Sequence, residues 1–246
     1  MNKKLRRVFE LQTRDRLAQM PISVVIPTLN EASCIGPLLE RLEVTPGIEE
    51  ILVADGGSTD GTPELVWPPV RLVRSEAGRG IQLSAGAKAA SGDVLLFLHA
   101  DAVPPPDVAS QIRGALEAGC VGGNLRPRYP GGGALGRALE LLVLPFFRAL
   151  GLYYGDSGIF VRREVYERVG GVPEIPILED VVFVRRMEGA GETAYLPGPI
   201  EISPRRWLKR PLRTTLLWVF MQAMFDLGAS PHWLANFYRA NRGSHH

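Results

Sequence analysis

Three polar clusters interrupt the apolar N-terminal half of the chain, and each carries groups able to hold a phosphorylated ligand. They are Pro27, Thr28, Leu29, Asn30 and Glu31; the run DGGSTDGT from Asp55 to Thr62; and His99, Ala100 and Asp101. Glycines at 56 and 57 let backbone approach a ligand closely, and Asp55 offers a carboxylate acceptor to a base or a ribose hydroxyl. The structural alternative is that Asn30, Ser58 and Asp60 only cap helices. His99 and Asp101 are two apart, so on an extended segment their side chains point the same way. A divalent ion bridging a diphosphate would find a nitrogen and an oxygen ligand there. Hard cations prefer the carboxylate, and the imidazole biases the pair towards manganese over magnesium. A lone histidine at a strand end can equally be a hydrogen-bonded structural residue. Arg79 at a helix start could reach a phosphate, whereas Lys88 on the same helix reads as a surface charge.

These clusters need elements to bring them together. The apolar, largely β-branched runs Ile22 to Ile26, Ile51 to Ala54, Val70 to Val73 and Val94 to Leu98 read as strands buried on both faces. Helical patterns lie between them at Ser33 to Glu43, Thr62 to Val66 and Arg79 to Ala90, with Ser33 and Asp60 as caps. This alternation predicts a mostly parallel, Rossmann-like α/β half over residues 21–103, with ligands bound beyond the carboxyl ends of the strands. A mixed half follows over 104–210. It contains a helix at Asp107 to Ala118, a strand near Val121 to Arg128, a glycine turn at Gly131 to Gly133 and a helix from about Leu135 to Leu150. A strand at Ser157 to Val161, a helix opening near Leu178 and two short strands flanking Pro197 to Pro199 complete it. An apolar helical tail occupies 211–241. Residues 1–20 form a basic arm, and 242–246 read as a tag remnant.

Composition narrows the function classes. Of 246 residues, 46% are hydrophobic and 22% charged, which describes a globular protein, and 28 basic against 26 acidic residues gives no bulk charge for nucleic acid. With the tag histidines set aside, His99 and His232 remain, too few for a His/Cys zinc cluster. Cys34 and Cys120 fit buried thiols in a reducing compartment. No apolar run is long enough to span a bilayer and no signal core follows the basic start, so a cytoplasmic location is expected.

The order PTLNE, DGGSTDGT, AGRG with AGAKAASGD, LFLHAD, GDSGIFVRRE, LED and SPRRW resembles glycosyltransferase family 2, and the resemblance covers about Pro21 to Tyr238. It is most similar to small bacterial members whose metal motif reads HAD. The resemblance implies a GT-A fold, a UDP- or GDP-sugar donor, Mn2+ or Mg2+ as cofactor, and sugar transfer with inversion to a sugar, lipid or small-molecule acceptor. Carried across, Pro27, Thr28, Glu31, Asp55, Gly56, Arg79, Ala100 and Asp101 correspond to the donor side. Asp101 matches the last aspartate of the Asp-x-Asp metal motif, and His99 stands in place of the first. Asp180 corresponds to the catalytic base. Asp156, Glu179, Arg206 and Trp207 fall in the acceptor and diphosphate region, with Ser203 where a glutamine usually opens the last motif.

The reading is therefore a metal-dependent inverting glycosyltransferase. Its rivals are a nucleotidyltransferase, which usually carries a Gly- and Lys-bearing loop that Pro27 to Glu31 lacks, and a non-catalytic nucleotide-sugar binder. The basic run Arg205, Arg206, Lys209, Arg210 and Arg213 before apolar Leu216 to Leu227 suits an anionic membrane surface. The alternative is that this helix packs on the protein body or on a second copy in a homodimer.

Overall fold

The computed structural model describes residues 20–149, 155–202 and 211–242. The expected basic arm, apart from Met20, and Arg205, Arg206, Trp207, Lys209 and Arg210 lie outside them.

The first half follows the predicted alternation. Strand β1 (Ile22–Thr28) leads through helix α1 (Ala32–Glu43) to β2 (Glu50–Asp55), then by a 3-10 turn (Pro63–Leu65) to β3 (Arg71–Arg74). Helix α2 (Arg79–Ala89) returns to β4 (Val94–Phe97). The mixed half contains β5 (Ala102–Val103), α3 (Val108–Glu117), β6 (Gly122–Arg128), α4 (Gly133–Ala138), a π-turn (Leu139–Val143) and α5 (Leu144–Ala149). A 3-10 turn (Gly155–Ser157), β7 (Ile159–Arg162), α6 (Arg163–Arg168), α7 (Glu179–Glu188), β8 (Thr193–Ile202), α8 (Pro211–Asp226) and α9 (Pro231–Arg242) complete the order.

All eight strands form one sheet in the order β3-β2-β1-β4-β7-β6-β8-β5. The β3-β2-β1-β4 portion is parallel, β7 is antiparallel to both β4 and β6, β8 is parallel to β6, and β5 is antiparallel to β8. Alternate residues of the strands feed opposite cores, because successive side chains leave a strand on opposite faces. Val24, Ile26, Val53 and Leu96 pack with Ile35 and Leu39 of α1 and Ile112 of α3. Val25, Leu52, Leu95 and Phe97 pack with Leu83 of α2 and Phe183 and Met187 of α7.

Four local expectations change. The helix expected from Leu135 to Leu150 is broken by the π-turn, since Pro145 has no N–H to continue the α-helical ladder back to residue 141. The two short strands around Pro197 to Pro199 are one strand. Between Leu125 and Pro127 of β6 the partner strand advances from Leu196 to Ile200, so the extra residues bulge from β8, and Gln111 accepts from the Gly198 N–H at 3.0 Å. The C-terminal tail is two helices, parted where Gly228 takes φ +93° and Ser230 caps the Trp233 N–H at 3.2 Å. Ser33 lies inside α1 and caps nothing, while Asp60 caps α1 from the neighbouring loop, accepting the Ala32 N–H at 3.0 Å.

Candidate active site

The sheet's topological switch lies between β1 and β4, and the polar clusters gather at the carboxyl ends of these strands and of β2. The first two clusters are stitched together. Asn30, in the left-handed region at φ +58°, donates its N–H to Ser58 Oγ at 2.9 Å and accepts from the Thr59 N–H at 2.9 Å. The Glu31 N–H donates to Thr62 Oγ1 at 2.9 Å. Asp55 is 1% exposed and accepts from Thr28 Oγ1 at 3.2 Å, from the Gly57 and Ser58 N–H groups at 3.0 Å each, and from Ser58 Oγ at 2.5 Å. Burial would raise its pKa, but the hydrogen bonds from Ser58, Gly57 and Thr28 bring it below the ordinary value. Those four donors use up the carboxylate's lone pairs, so Asp55 holds the loop and Thr28, itself buried, holds Asp55.

Sequence reasoning missed Gln82, whose amide donates to the Thr28 and Ala54 carbonyls at 2.6 and 2.9 Å from behind the same loop. A Cβ on Gly56 would lie 3.0 Å from its side chain, which explains a glycine there. The only sequence signal was one amide amid the small and apolar residues of α2.

Across the cleft, Arg79 at the start of α2 gathers residues from distant parts of the chain. Its guanidinium bonds Glu179, donates to Asp180 Oδ2 at 2.5 Å and contacts His99 Nε2 at 3.2 Å. A guanidinium cannot accept a hydrogen bond, so Nε2 is the acceptor and its lone pair is directed at Arg79. His99 and Asp101 do not lie on an extended segment. The Ala102 N–H bonds back to the His99 carbonyl at 3.1 Å, a turn that removes the period-two argument for their shared direction. Ala100 buries its methyl in the core. Lys88 pairs with Glu174 at the surface, 3.2 Å apart.

Asp180 is placed by backbone as much as by charge. It accepts the Gly155 and Val181 N–H groups at 2.8 Å each, in the first turn of α7. Leu178, buried and left-handed at φ +61°, turns the chain into that helix. Burial opposes the ionised form of Asp180, yet Arg79 and those two N–H groups hold its pKa below the usual range. Glu179 moves up, chiefly from burial. Asp156 is pushed up to about 6 by burial and then by the charge of Asp180, with Asp101 adding to it. Asp101, Asp156 and Asp180 therefore share one electrostatic neighbourhood. Arg206 and Trp207 fall outside the described residues.

A divalent ion suits this donor set. Asp156, a carboxylate raised by its like-charged neighbours, favours an added cation, and His99 Nε2 could ligate one once Arg79 gives up its contact with it. Among the described residues no three His, Cys, Asp or Glu side chains converge as a complete metal cage.

The profile of glycosyl transferase family 2 matches residues 23–167, more than half of the chain. The chain belongs to glycosyltransferase family 2. An undecaprenyl-phosphate 4-deoxy-4-formamido-L-arabinose transferase of Serratia proteamaculans is 29% identical over 187 residues, covering 67% of this chain and 57% of that protein. A dolichol-phosphate mannosyltransferase of Pyrococcus furiosus is 34% identical over 109 residues, 41% of this chain and 31% of its own length. The chain thus spans between about a third and three fifths of these relatives. Glucosyl-3-phosphoglycerate synthase of Mycobacterium tuberculosis, in a crystal structure with Mn2+, UDP and phosphoglyceric acid, superposes with a TM-score of 0.62 at 24% identity, covering 88% of this chain and 83% of that one. The family fold is thereby GT-A, with the curled mixed sheet described above. No helix among the described residues is long and apolar enough to cross a membrane.

Proposed function

We propose that the protein transfers a sugar, with inversion, from a nucleotide-diphosphate sugar to an acceptor hydroxyl, and that a divalent metal assists. The observation that carries this reading is the Arg79 knot, which sets the ionised Asp180 against His99 at the carboxyl end of β4, beside the Asp55 loop. The family's named relatives handle sugar donors, and the mycobacterial synthase was crystallised with Mn2+ and UDP-glucose.

In this reading the Gly56–Ser58 backbone, fixed by Asp55, receives the nucleoside, with Pro27 and Glu31 on its rim. Direct contact between Asp55 and a base requires Ser58 to yield one hydrogen bond. Asp101 and His99 would hold the metal, which when bound neutralises the diphosphate as negative charge develops on it. Arg79 adds a guanidinium on the same side. An alcohol is a weak nucleophile, so Asp180 takes the acceptor proton as the new bond to the anomeric carbon forms and the nucleoside diphosphate departs. Every oxygen of Asp180 is already hydrogen-bonded, so a shift of Arg79 towards the diphosphate would free the carboxylate for that proton. Asp156, with its pKa near neutrality, is the neighbouring candidate. Arg206 and Trp207 are assigned to the acceptor side on resemblance alone.

Attachment to an anionic membrane face belongs to the same proposal. It is supported by the basic run before α8 and by Leu216, Phe220 and Leu227, which are 68%, 40% and 82% exposed. The alternative is that a second copy covers them.

The test is a thermal-shift panel of UDP- and GDP-sugars with and without Mn2+. A bound donor at about a hundred times its dissociation constant stabilises by about 2.7 kcal/mol. Metal-dependent stabilisation followed by slow donor hydrolysis supports a transferase. Stabilisation without any turnover points to a binding protein, and binding of nucleoside triphosphates in preference to nucleotide sugars points to a nucleotidyltransferase.

A further inference from the structure

One side chain occupies two groups that the proposed chemistry needs elsewhere. Each of the three guanidinium nitrogens of Arg79 serves a different partner. Nε bonds Glu179, Nη2 donates to Asp180 Oδ2 at 2.5 Å, and Nη1 contacts His99 Nε2 at 3.2 Å. A lone pair able to ligate a metal and a carboxylate oxygen able to take a proton are thereby spent on the same cation. Glu179 has no step of its own in that chemistry, yet it is a buried carboxylate, which is costly to keep without a partner.

The backbone at Arg79 has little freedom. A Cβ on the next residue, Gly80, would lie 2.3 Å from the Pro173 carbonyl oxygen, and Arg148 ties the far end of α7 through Glu188 at 3.1 Å. A change of partner is therefore a swing of the Arg79 side chain, which is 35% exposed while those of Glu179 and Asp180 are 3% and 6% exposed. Inward, beside His99 and Asp180, lies a small apolar cavity lined by Leu83, Phe97, Val172 and Phe183, where a guanidinium gains nothing. On the other side the Asp55 loop is at hand, since a Cβ on Gly56 would lie 3.1 Å from the Cα of Ala77, two residues before Arg79.

A swing in that direction leaves two buried carboxylates behind. It becomes favourable when another anion takes their place and another cation takes the place of Arg79. A nucleoside diphosphate with its divalent ion brings both. Phosphate oxygens match the guanidinium fork, and positive charge enters the field that Asp101, Asp156 and Asp180 share.

We propose that Glu179 is a positioning residue that holds Arg79 across His99 and Asp180, and that a nucleoside diphosphate draws Arg79 away and releases both groups together. The inference rests on the transferase reading and adds what restrains Arg79 and what couples the metal ligand to the base. One consequence is that a divalent ion without nucleotide has to compete with Arg79 for His99.

The experiment uses the full chain and two binding measurements. In the first, Mn2+ is titrated without nucleotide and followed by electron paramagnetic resonance. If Arg79 is away from His99 in less than about a tenth of the molecules, removing the contact raises Mn2+ affinity by about tenfold or more. Arg79→Gln should show this gain. Arg79→Lys should show it too, because lysine keeps the charge but loses the fork that spans three partners, and adding His99→Ala should abolish it. In the second, UDP and GDP are titrated by calorimetry with Mn2+ present. For whichever nucleotide binds, Glu179→Gln should tighten binding by about threefold or more and Arg79→Gln should weaken it, while Glu179→Gln made in Arg79→Gln protein should change nothing.

A merely structural Glu179 would leave nucleotide affinity unchanged or lower it, and direct repulsion between Glu179 and the phosphates would persist without Arg79. Either result overturns the proposal, as does an Mn2+ affinity that ignores Arg79 or a gain that survives His99→Ala. Arg79→Gln unpairs two buried carboxylates, so if it does not fold, Arg79→Lys takes its place in both measurements. Failure of wild-type protein to bind either nucleotide sinks the transferase reading and the role of the diphosphate with it, whereas the Mn2+ titration still decides whether Arg79 covers His99.

Discussion

Asp180 and Asp156 are carboxylates in the field of one guanidinium, yet their surroundings move them in opposite directions. Asp180 has two backbone N–H donors and Arg79 against it, so it stays ionised. Asp156 feels Asp180 and Asp101 as like charges and rises to about 6. If Asp180 is the proton acceptor, Asp180→Asn in a folded protein should lower turnover by about a hundred to ten thousand fold with little change in donor affinity. Near-normal turnover would transfer the role to Asp156 or Glu179. The Asp156 shift also has a stability consequence. Its folded pKa lies above its unfolded value near 3.8, so the folded state binds the proton more tightly. That contribution is fully present below about pH 4 and is lost as pH rises through about 6. Asp156→Asn should therefore flatten the pH dependence of the melting temperature over that window and raise stability at pH 7.5, measured without metal. A steeper dependence in the variant would contradict the shift.

At the scale of elements, the position of Arg79 depends on how closely α2 approaches the segment before α7. Gly80 marks the contact, since a Cβ there would lie 2.3 Å from the Pro173 carbonyl oxygen. Alanine in a helix would gain up to about 1 kcal/mol in propensity, but a collision with backbone costs about 1–3 kcal/mol, so the collision wins. Gly80→Ala should lower the denaturation midpoint and reduce turnover, because α2 must move and Arg79 moves with it. A stabilised, fully active variant would show that the contact has slack. Helix α7 is held from both ends, by Arg79 at Glu179 and Asp180 and by Arg148 at Glu188, which fixes the carboxylates relative to the mixed half.

On the scale of the whole molecule, the C-terminal helices form their own small core. Met221 and Leu234 are buried with Leu178 and Val181, the residues flanking the Asp180 turn. The hairpin is thus attached to α7 while leaving Leu216, Phe220 and Leu227 outward. If this face meets a bilayer, the protein should co-sediment with anionic vesicles at low salt and release as salt rises, since each basic residue near the surface contributes about 1 kcal/mol. Absence of binding at low salt, together with a dimer in solution, would assign the face to a second copy.

The sequence by itself determined the parallel half. Its apolar runs are buried on both faces and its glycine and aspartate punctuation is local, so strand ends and the loops at Thr28 and Asp55 could be placed by reading along the chain. The helix opening near Leu178 was legible too, which put Glu179 and Asp180 in its first turn. What only the tertiary structure decided depends on contacts between residues far apart in sequence. Arg79 meets Asp180 a hundred and one positions away, Gln82 reaches the Thr28 carbonyl, and Arg148 ties Asn124 to Thr193. The turn at His99 and the broken helix before Ala149 were settled by local backbone bonding that periodicity does not encode, and the single strand through Pro197 by its pairing with β6 and the Gln111 contact at Gly198. Which carbonyls the Gln82 amide would find could not be read in the sequence, because whether a side chain has a partner is a property of packing.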